Sequence, residues 1–181
     1  MVFNDSAWDY RTLSIDRDAK AAAEKTGSIL NATDPDLRRF SKRGGKLILY
    51  HGWSDAAIPA QNTIDYYQSV LKKMGDRKTR EFVHLFMVPG MKHCGSGAGP
   101  NSFGQWSVAQ GDGQHDITAA LERWVEQGIA PEQIVAAKGK NTMDPASAIE
   151  RTRTLCAYPK VVRYKASGST DDAANFECTA G

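Results

Sequence analysis

No apolar run in these 181 residues approaches the roughly 18–20 that a membrane-spanning helix needs. No charged-then-apolar leader opens the chain, so neither a span nor a signal peptide is read from it, and no membrane contact is expected. Charge of one sign is also missing: 23 Lys and Arg stand against 21 Asp and Glu, a formal net charge of +2. Basic residues gather only in short runs, such as the pairs at 38–39, 42–43 and 72–73. A nucleic-acid partner is therefore excluded, because such a face needs a stripe of Lys and Arg. Cysteine is scarce, at three, and no C-x-x-C or clustered His–Cys spacing exists beyond the adjacent pair His93–Cys94. No zinc site, other metal or cofactor is expected. What is present, 41% hydrophobic and 24% charged residues, is the balance of a globular chain long enough to bury one core.

The three cysteines, Cys94, Cys156 and Cys178, leave two readings open. In an oxidising compartment Cys156 pairs with Cys178 across a short local loop and Cys94 is left over. In a reducing one all three are thiols.

The pattern along the chain is α/β. "DRDAKAAAEKTGSIL" (16–30) carries early acids and a central alanine run, which predicts a helix interrupted near its end by Gly27. "NATDPDLRRFSKRGG" predicts a short helix capped by Asp34, with Pro35 at its first position and Gly44 and Gly45 ending it. Leu47 to His51 form a short apolar run that predicts a strand buried on both faces. "NTIDYYQSVLKKM" then predicts a helix with Asn62 as its cap and Ile64, Tyr67 and Met74 on one stripe. Residues 82–88 repeat the buried-strand pattern. A Gly-, Ser- and Asn-rich loop follows from Gly90 to about Gly113, a length more often functional than idle. Ile117, Ala120, Leu121, Trp124 and Val125 recur at helical spacing, and Gly128 ends that helix. "APEQIVAAK" reads as a short extended or helical piece, and "KVVRYKASGS" as a strand or extended arm.

Strand, helix, strand, helix implies parallel pairing. In such sheets sites form beyond the carboxyl ends of the strands. Two loops lie there, "HGWSDAAIP" (51–59) and "PGMKHCG" (89–95). The first offers Asp55 and the second His93. A carboxylate that accepts from one imidazole nitrogen fixes the tautomer and leaves the other as a base. The order Asp then His matches the last two members of a Ser-Asp-His triad. Each residue taken alone also fits a loop, turn or cap role. Of the remaining histidines, His84 is expected to pack within its strand, His51 to be structural at a strand end, and His115 to cap a helix or face water. No G-x-S-x-G elbow exists. "GWSDA" puts Ser54 beside the acid, and "CGSGAG" puts Ser96 after the histidine strand, so neither serine suits a nucleophile.

"KLILYHGWSDAAIPAQNTIDYY", "FMVPGMKHCGSGAGPNSFG", "ALERWVEQGIAPEQIVAAK" and "RTLCAYPKVVRYKASGSTDDAANFEC" together resemble the C-terminal part of the tannase and feruloyl esterase family. The resemblance runs in register from about Trp8 to the end. It implies an α/β-hydrolase fold of parallel strands with flanking helices, carried by 1–181 as one partial domain with a C-terminal arm at 151–181. It implies a secreted or periplasmic serine esterase acting on a small aromatic ester, with Asp55 as the acid and His93 as the base. It also implies a disulfide between Cys156 and Cys178, and makes Cys94 the half of a bond whose other cysteine precedes the nucleophile. Trp53, Ile58 and Phe103 are candidates to line the pocket. The family's nucleophile elbow, oxyanion hole and calcium-bearing lid have no counterpart in these residues. Half a sheet leaves an open strand edge, so a homodimer or association with the N-terminal part is expected. The alternative is a non-catalytic truncated module that oligomerises or binds a partner.

Overall fold

The computed structural model describes residues 2–105, 114–141 and 147–181. It divides into two units, Met1–Asp34 and Pro35–Gly181. The 106–113 part of the expected long loop lies outside the described residues.

The first unit is built on α1 (Ile15–Leu30), which continues through Gly27. Asp18 closes its first turn: its carboxylate accepts the Ser14 N–H at 2.9 Å and pairs with Arg17 at 2.6 Å. Upstream, Phe3 and Trp8 stack with centroids 5.1 Å apart. These rings line, with Leu13, Ile15 and Ala19, a cavity of about 470 Å³.

The second unit begins with α2 (Arg38–Lys42). Asp36, not Asp34, meets its start, because the Asp36 carboxylate accepts the Arg38 N–H at 3.2 Å and also binds the Arg38 guanidinium. β1 (Leu47–Gly52) follows, then α3 (Ala60–Met74), α4 (Asp76–Arg80) and β2 (Val83–Val88). β1 and β2 pair in parallel, Leu47 opposite Val83 through Gly52 opposite Val88. α3 starts directly after Pro59, two residues before the expected Asn62 cap, and has no side-chain cap. The buried Ala60 extends its apolar face by the extra turn, so Asn62 lies inside the helix.

Side chains alternate across the β1–β2 pair, and each set has its own core. Leu47, Leu49, Val83 and Leu85 pack against Ile64, Tyr67 and Leu71 of α3. Ile48, Tyr50, Phe86 and Val88 pack with Met91, Phe103, Ile117, Ile134 and Leu155. Both faces of β2 are therefore covered. Its second edge is also occupied: the Tyr158 N–H donates to Leu85 O at 2.8 Å, and Phe86 bridges Ala157. β1 differs from expectation, being mostly half-buried. Among the described residues it pairs with β2 alone, which leaves its outer side short of neighbours.

α5 (Ile117–Gln127) is capped by Asp116, whose carboxylate accepts the Thr118 and Ala119 N–H groups at 2.8 and 3.2 Å, so that His115 is not the cap. Gly128, at φ 71°, ends the helix in the left-handed region open to glycine. β3 (Gln133–Gly139) settles the "APEQIVAAK" piece as a strand, paired antiparallel with β4 (Ile149–Cys156). β5 (Val161–Tyr164) and β6 (Phe176–Thr179) form an antiparallel hairpin. The Cys156–Cys178 disulfide ties the end of β4 to β6. No described helix is long and apolar enough to cross a membrane.

Candidate active site

The two loops beyond β1 and β2 are joined by main-chain bonds that extend the parallel ladder. Trp53 N–H donates to Val88 O at 3.0 Å, and Ser54 N–H to Met91 O at 2.9 Å. Gly52 permits this approach. A Cβ built there would stand 2.2 Å from Met91 O and 2.6 Å from Lys92 O, so only a residue without a side chain lets the second loop cross. Past the crossing the second loop doubles back, with Met91 bridging Gly97 and Lys92 N–H donating to Ser96 O at 3.2 Å. Cys94 and Ser96 take left-handed backbone at φ 58° and 52°, a conformation L side chains rarely adopt and one that collects at functional loops. The loop is then pinned to β3, where Ser102 and Ala137 exchange main-chain bonds.

This framework brings Asp55 and His93 together. His93 Nδ1 lies 2.8 Å from Asp55 Oδ2. The Asp55 side chain is only 3% exposed, whereas that of His93 is 57% exposed. Oδ1 of Asp55 accepts the Ala57 and Ile58 N–H groups at 2.8 and 3.0 Å. These bonds, the Ile58 one foremost, outweigh the effect of burial and, with Ala57 and His93, hold the carboxyl down to about 2. An ionised acceptor at Oδ2 calls for a proton on His93 Nδ1, which leaves Nε2 with the lone pair. The pair can therefore take up a proton at Nε2 and stabilise the resulting imidazolium.

Asp55 has a second imidazole neighbour. His51 Nε2 is 3.2 Å from Oδ2, and the His51 side chain is 10% exposed. The sequence reads His51 as a structural residue at a strand end, near the crevice. The available signal was its position four residues before Asp55, across a turn that a parallel strand must make at its carboxyl end. His84 stays apart from the site. It is buried in β2 with Nδ1 2.9 Å from Pro131 O and Nε2 3.1 Å from Arg80 O, its ring against Trp124.

Of the candidate lining residues, Trp53 and Ile58 are 51% and 44% exposed on the Asp55 loop. Phe103 is fully buried, edge-on to Tyr50 at 5.3 Å, and belongs to the core rather than to an open surface. Trp53 and Pro89, at the roots of the two loops, line a cavity of about 220 Å³ together with Leu155, Tyr158 and Val162. Among the described residues no group of three or more His, Cys, Asp or Glu could hold a metal ion.

The family model "Tannase and feruloyl esterase" matches residues 2–179. An uncharacterized esterase of Xanthomonas campestris pv. campestris is 41% identical over 201 residues, covering 98% of this chain and 35% of that protein. Mono(2-hydroxyethyl) terephthalate hydrolase of Piscinibacter sakaiensis is 44% identical over 149 residues, covering 82% and 22%. The crystal structure of feruloyl esterase B from Aspergillus oryzae superposes with a TM-score of 0.84 at 33% identity, covering 99% of this chain and 36% of that one. The chain thus spans about a third or less of the length of the relatives it matches. Its architecture is that of the α/β-hydrolase-like esterases.

Proposed function

Because the chain belongs to the tannase and feruloyl esterase family, we propose that it carries the acid and base of a serine carboxylic-ester hydrolase whose serine lies outside these residues. In this reading His93 Nε2 takes the proton of the serine hydroxyl as that oxygen attacks the ester carbonyl. The same nitrogen then returns the proton to the departing alcohol oxygen. Asp55 keeps the imidazole in the tautomer that exposes Nε2 and balances the charge formed during transfer. The observation that carries the reading is the 2.8 Å bond from His93 Nδ1 to a carboxylate already held ionised by two main-chain N–H groups.

The substrate class proposed is a phenolic ester, of the hydroxycinnamate or gallate kind, which the names of the relatives support. Secretion or periplasmic location is proposed with it, and the Cys156–Cys178 bond fits an oxidising compartment. The outer edge of β1 is proposed to receive further strands, from the N-terminal part of the longer protein or from a second copy. The test is hydrolysis of methyl ferulate by the complete enzyme. His93→Ala should abolish it, and Ser54→Ala and Ser96→Ala should not. Retained hydrolysis in His93→Ala overturns the reading. Loss in either serine variant would place the nucleophile inside this chain instead.

A non-catalytic module is the second reading, favoured by one observation: no G-x-S-x-G elbow occurs in the sequence. Absence of hydrolysis when this chain is combined with its N-terminal part would support it.

A further inference from the structure

Two histidines of the second unit lie against its core, and they use their ring nitrogens differently. Both nitrogens of His84 end on main-chain carbonyls, which confines it to holding β2 against the chain around Pro131. His51 places Nε2 between two acceptors, Ile58 O at 3.1 Å and Asp55 Oδ2 at 3.2 Å. Its Nδ1 lies 2.7 Å from the Thr63 hydroxyl. A carbonyl and an ionised carboxylate can only accept, so Nε2 must carry the proton. The Thr63 hydroxyl, able to donate or accept, holds the other nitrogen and so sets the plane of the ring.

We propose that His51 is a positioning residue for the acid–base pair. Its Nε2 bonds Ile58 O, steadying the residue whose N–H anchors Asp55 Oδ1, and packs 3.2 Å from Oδ2 so that this oxygen stays turned to His93; the ring is itself oriented by Thr63. The proposal rests on the reading of Asp55 and His93 as acid and base. The two N–H groups of Ala57 and Ile58 anchor Oδ1 alone. A carboxylate tethered at one oxygen can still turn about its Cβ–Cγ bond, because that torsion is broad. The His51 Nε2 edge, 3.2 Å from the other oxygen, restricts this turn, as outer partners do for catalytic ligands generally.

The placement of His51 suits the task. It sits near the end of β1, while Ile58 and Thr63 lie at the far end of the loop and in the first turn of α3. One ring therefore braces the Asp55 loop across its base.

The test uses His51→Phe, which keeps a flat ring without donors, His51→Gln, whose amide can offer an N–H, and Thr63→Val, which removes only the orienting hydroxyl. In the 181-residue chain the low-field proton resonance of His93 Nδ1 is followed by NMR. In the complete enzyme kcat and KM for methyl ferulate are measured. His51→Phe should broaden the resonance into solvent exchange and lower kcat by about 100-fold, the usual cost of a reacting group misplaced by an ångström, with KM little changed. Thr63→Val should act the same way by about tenfold, which keeps the test sound if His51→Phe folds poorly. His51→Gln should recover the resonance and most of kcat.

If His51→Phe and Thr63→Val leave both readouts unchanged while Asp55→Asn removes them, His51 only packs; the inference fails and the acid–base reading stands. Asp55→Asn leaving both readouts unchanged would overturn the acid–base reading and this inference with it.

Discussion

Opening the Cys156–Cys178 bond, by reductant or by the Cys156→Ser/Cys178→Ser double variant, should weaken the fold while sparing the Asp55–His93 bond. The two cysteines are 22 positions apart. On the chain-entropy estimate, closing a loop of that length contributes about 3.4 kcal/mol by restricting the unfolded chain. The folded side changes little, because other contacts hold the same arm. β5 and β6 pair from Val161–Thr179 to Tyr164–Phe176, Arg151 binds Asp171 at 2.7 Å, and the Arg153 guanidinium lies 3.9 Å over the Phe176 ring. With a urea m-value of roughly 2 kcal/mol/M, the midpoint should fall by about 1.7 M. At about 2–4 °C per kcal/mol, the melting temperature should fall by roughly 7–14 °C. Equilibrium urea unfolding, followed by tryptophan fluorescence, measures this with and without reductant. The double variant should unfold identically in both conditions, since Cys94 is then the only cysteine. A midpoint shift below about 0.5 M would refute the reasoning, by showing that the unfolded chain is already as restricted without the bond.

Other outcomes follow from single positions. The Asp55 carboxyl is depressed to about 2 in the folded chain against 3.8 for the free group, so its contribution to stability is fully present above about pH 4 and is lost as pH falls toward 2. Carboxyl-carbon NMR should show it ionised at pH 3, and a midpoint near 4 would contradict the hydrogen bonds assigned to it. Phe103→Ala, which empties a fully buried site beneath Tyr50, should cost about 3–5 kcal/mol in denaturant unfolding, whereas a surface residue would cost under about 1. Gly52→Ala puts a methyl within 2.2 Å of Met91 O and should destabilise the fold by about 1–3 kcal/mol while shifting the His93 loop. An unaltered His93 Nδ1 resonance in that variant would show that the crossing is looser than described.

The elements that pack on both sides were the readable ones. β2 is continuous in apolar residues because α3 covers one face and β3, β4 and Phe103 the other, and α5 repeats its apolar positions at helical spacing because one stripe is buried. That the loops beyond β1 and β2 lie side by side follows from parallel pairing alone. β4 was unreadable, since "IERTRTLC" alternates charged residues with Thr and is buried only at its end. Phe103 sits in a stretch whose glycines and polar residues suggest surface, yet bonds between Ser102 and Ala137 draw it inward. The start of α3 was placed late because Asn62 is the better cap by chemistry, whereas Ala60 is buried and extends the helix. His51 was set aside because a histidine at a strand end carries no pattern; its value depends on Thr63 and Asp55, which only the fold brings to it.

The alternation of β1 and β2 between two separate cores has a consequence for distance. Strands advance about 3.3 Å per residue. A slip of one residue between these two would move His93 by that length relative to Asp55, and it would also turn Phe86 and Val88 toward α3 and Leu85 toward β3. Hydrophobic packing on both sides thus works as a vernier for the proton-transfer pair: the spacing of two polar atoms at the rim is calibrated by greasy residues that never meet them.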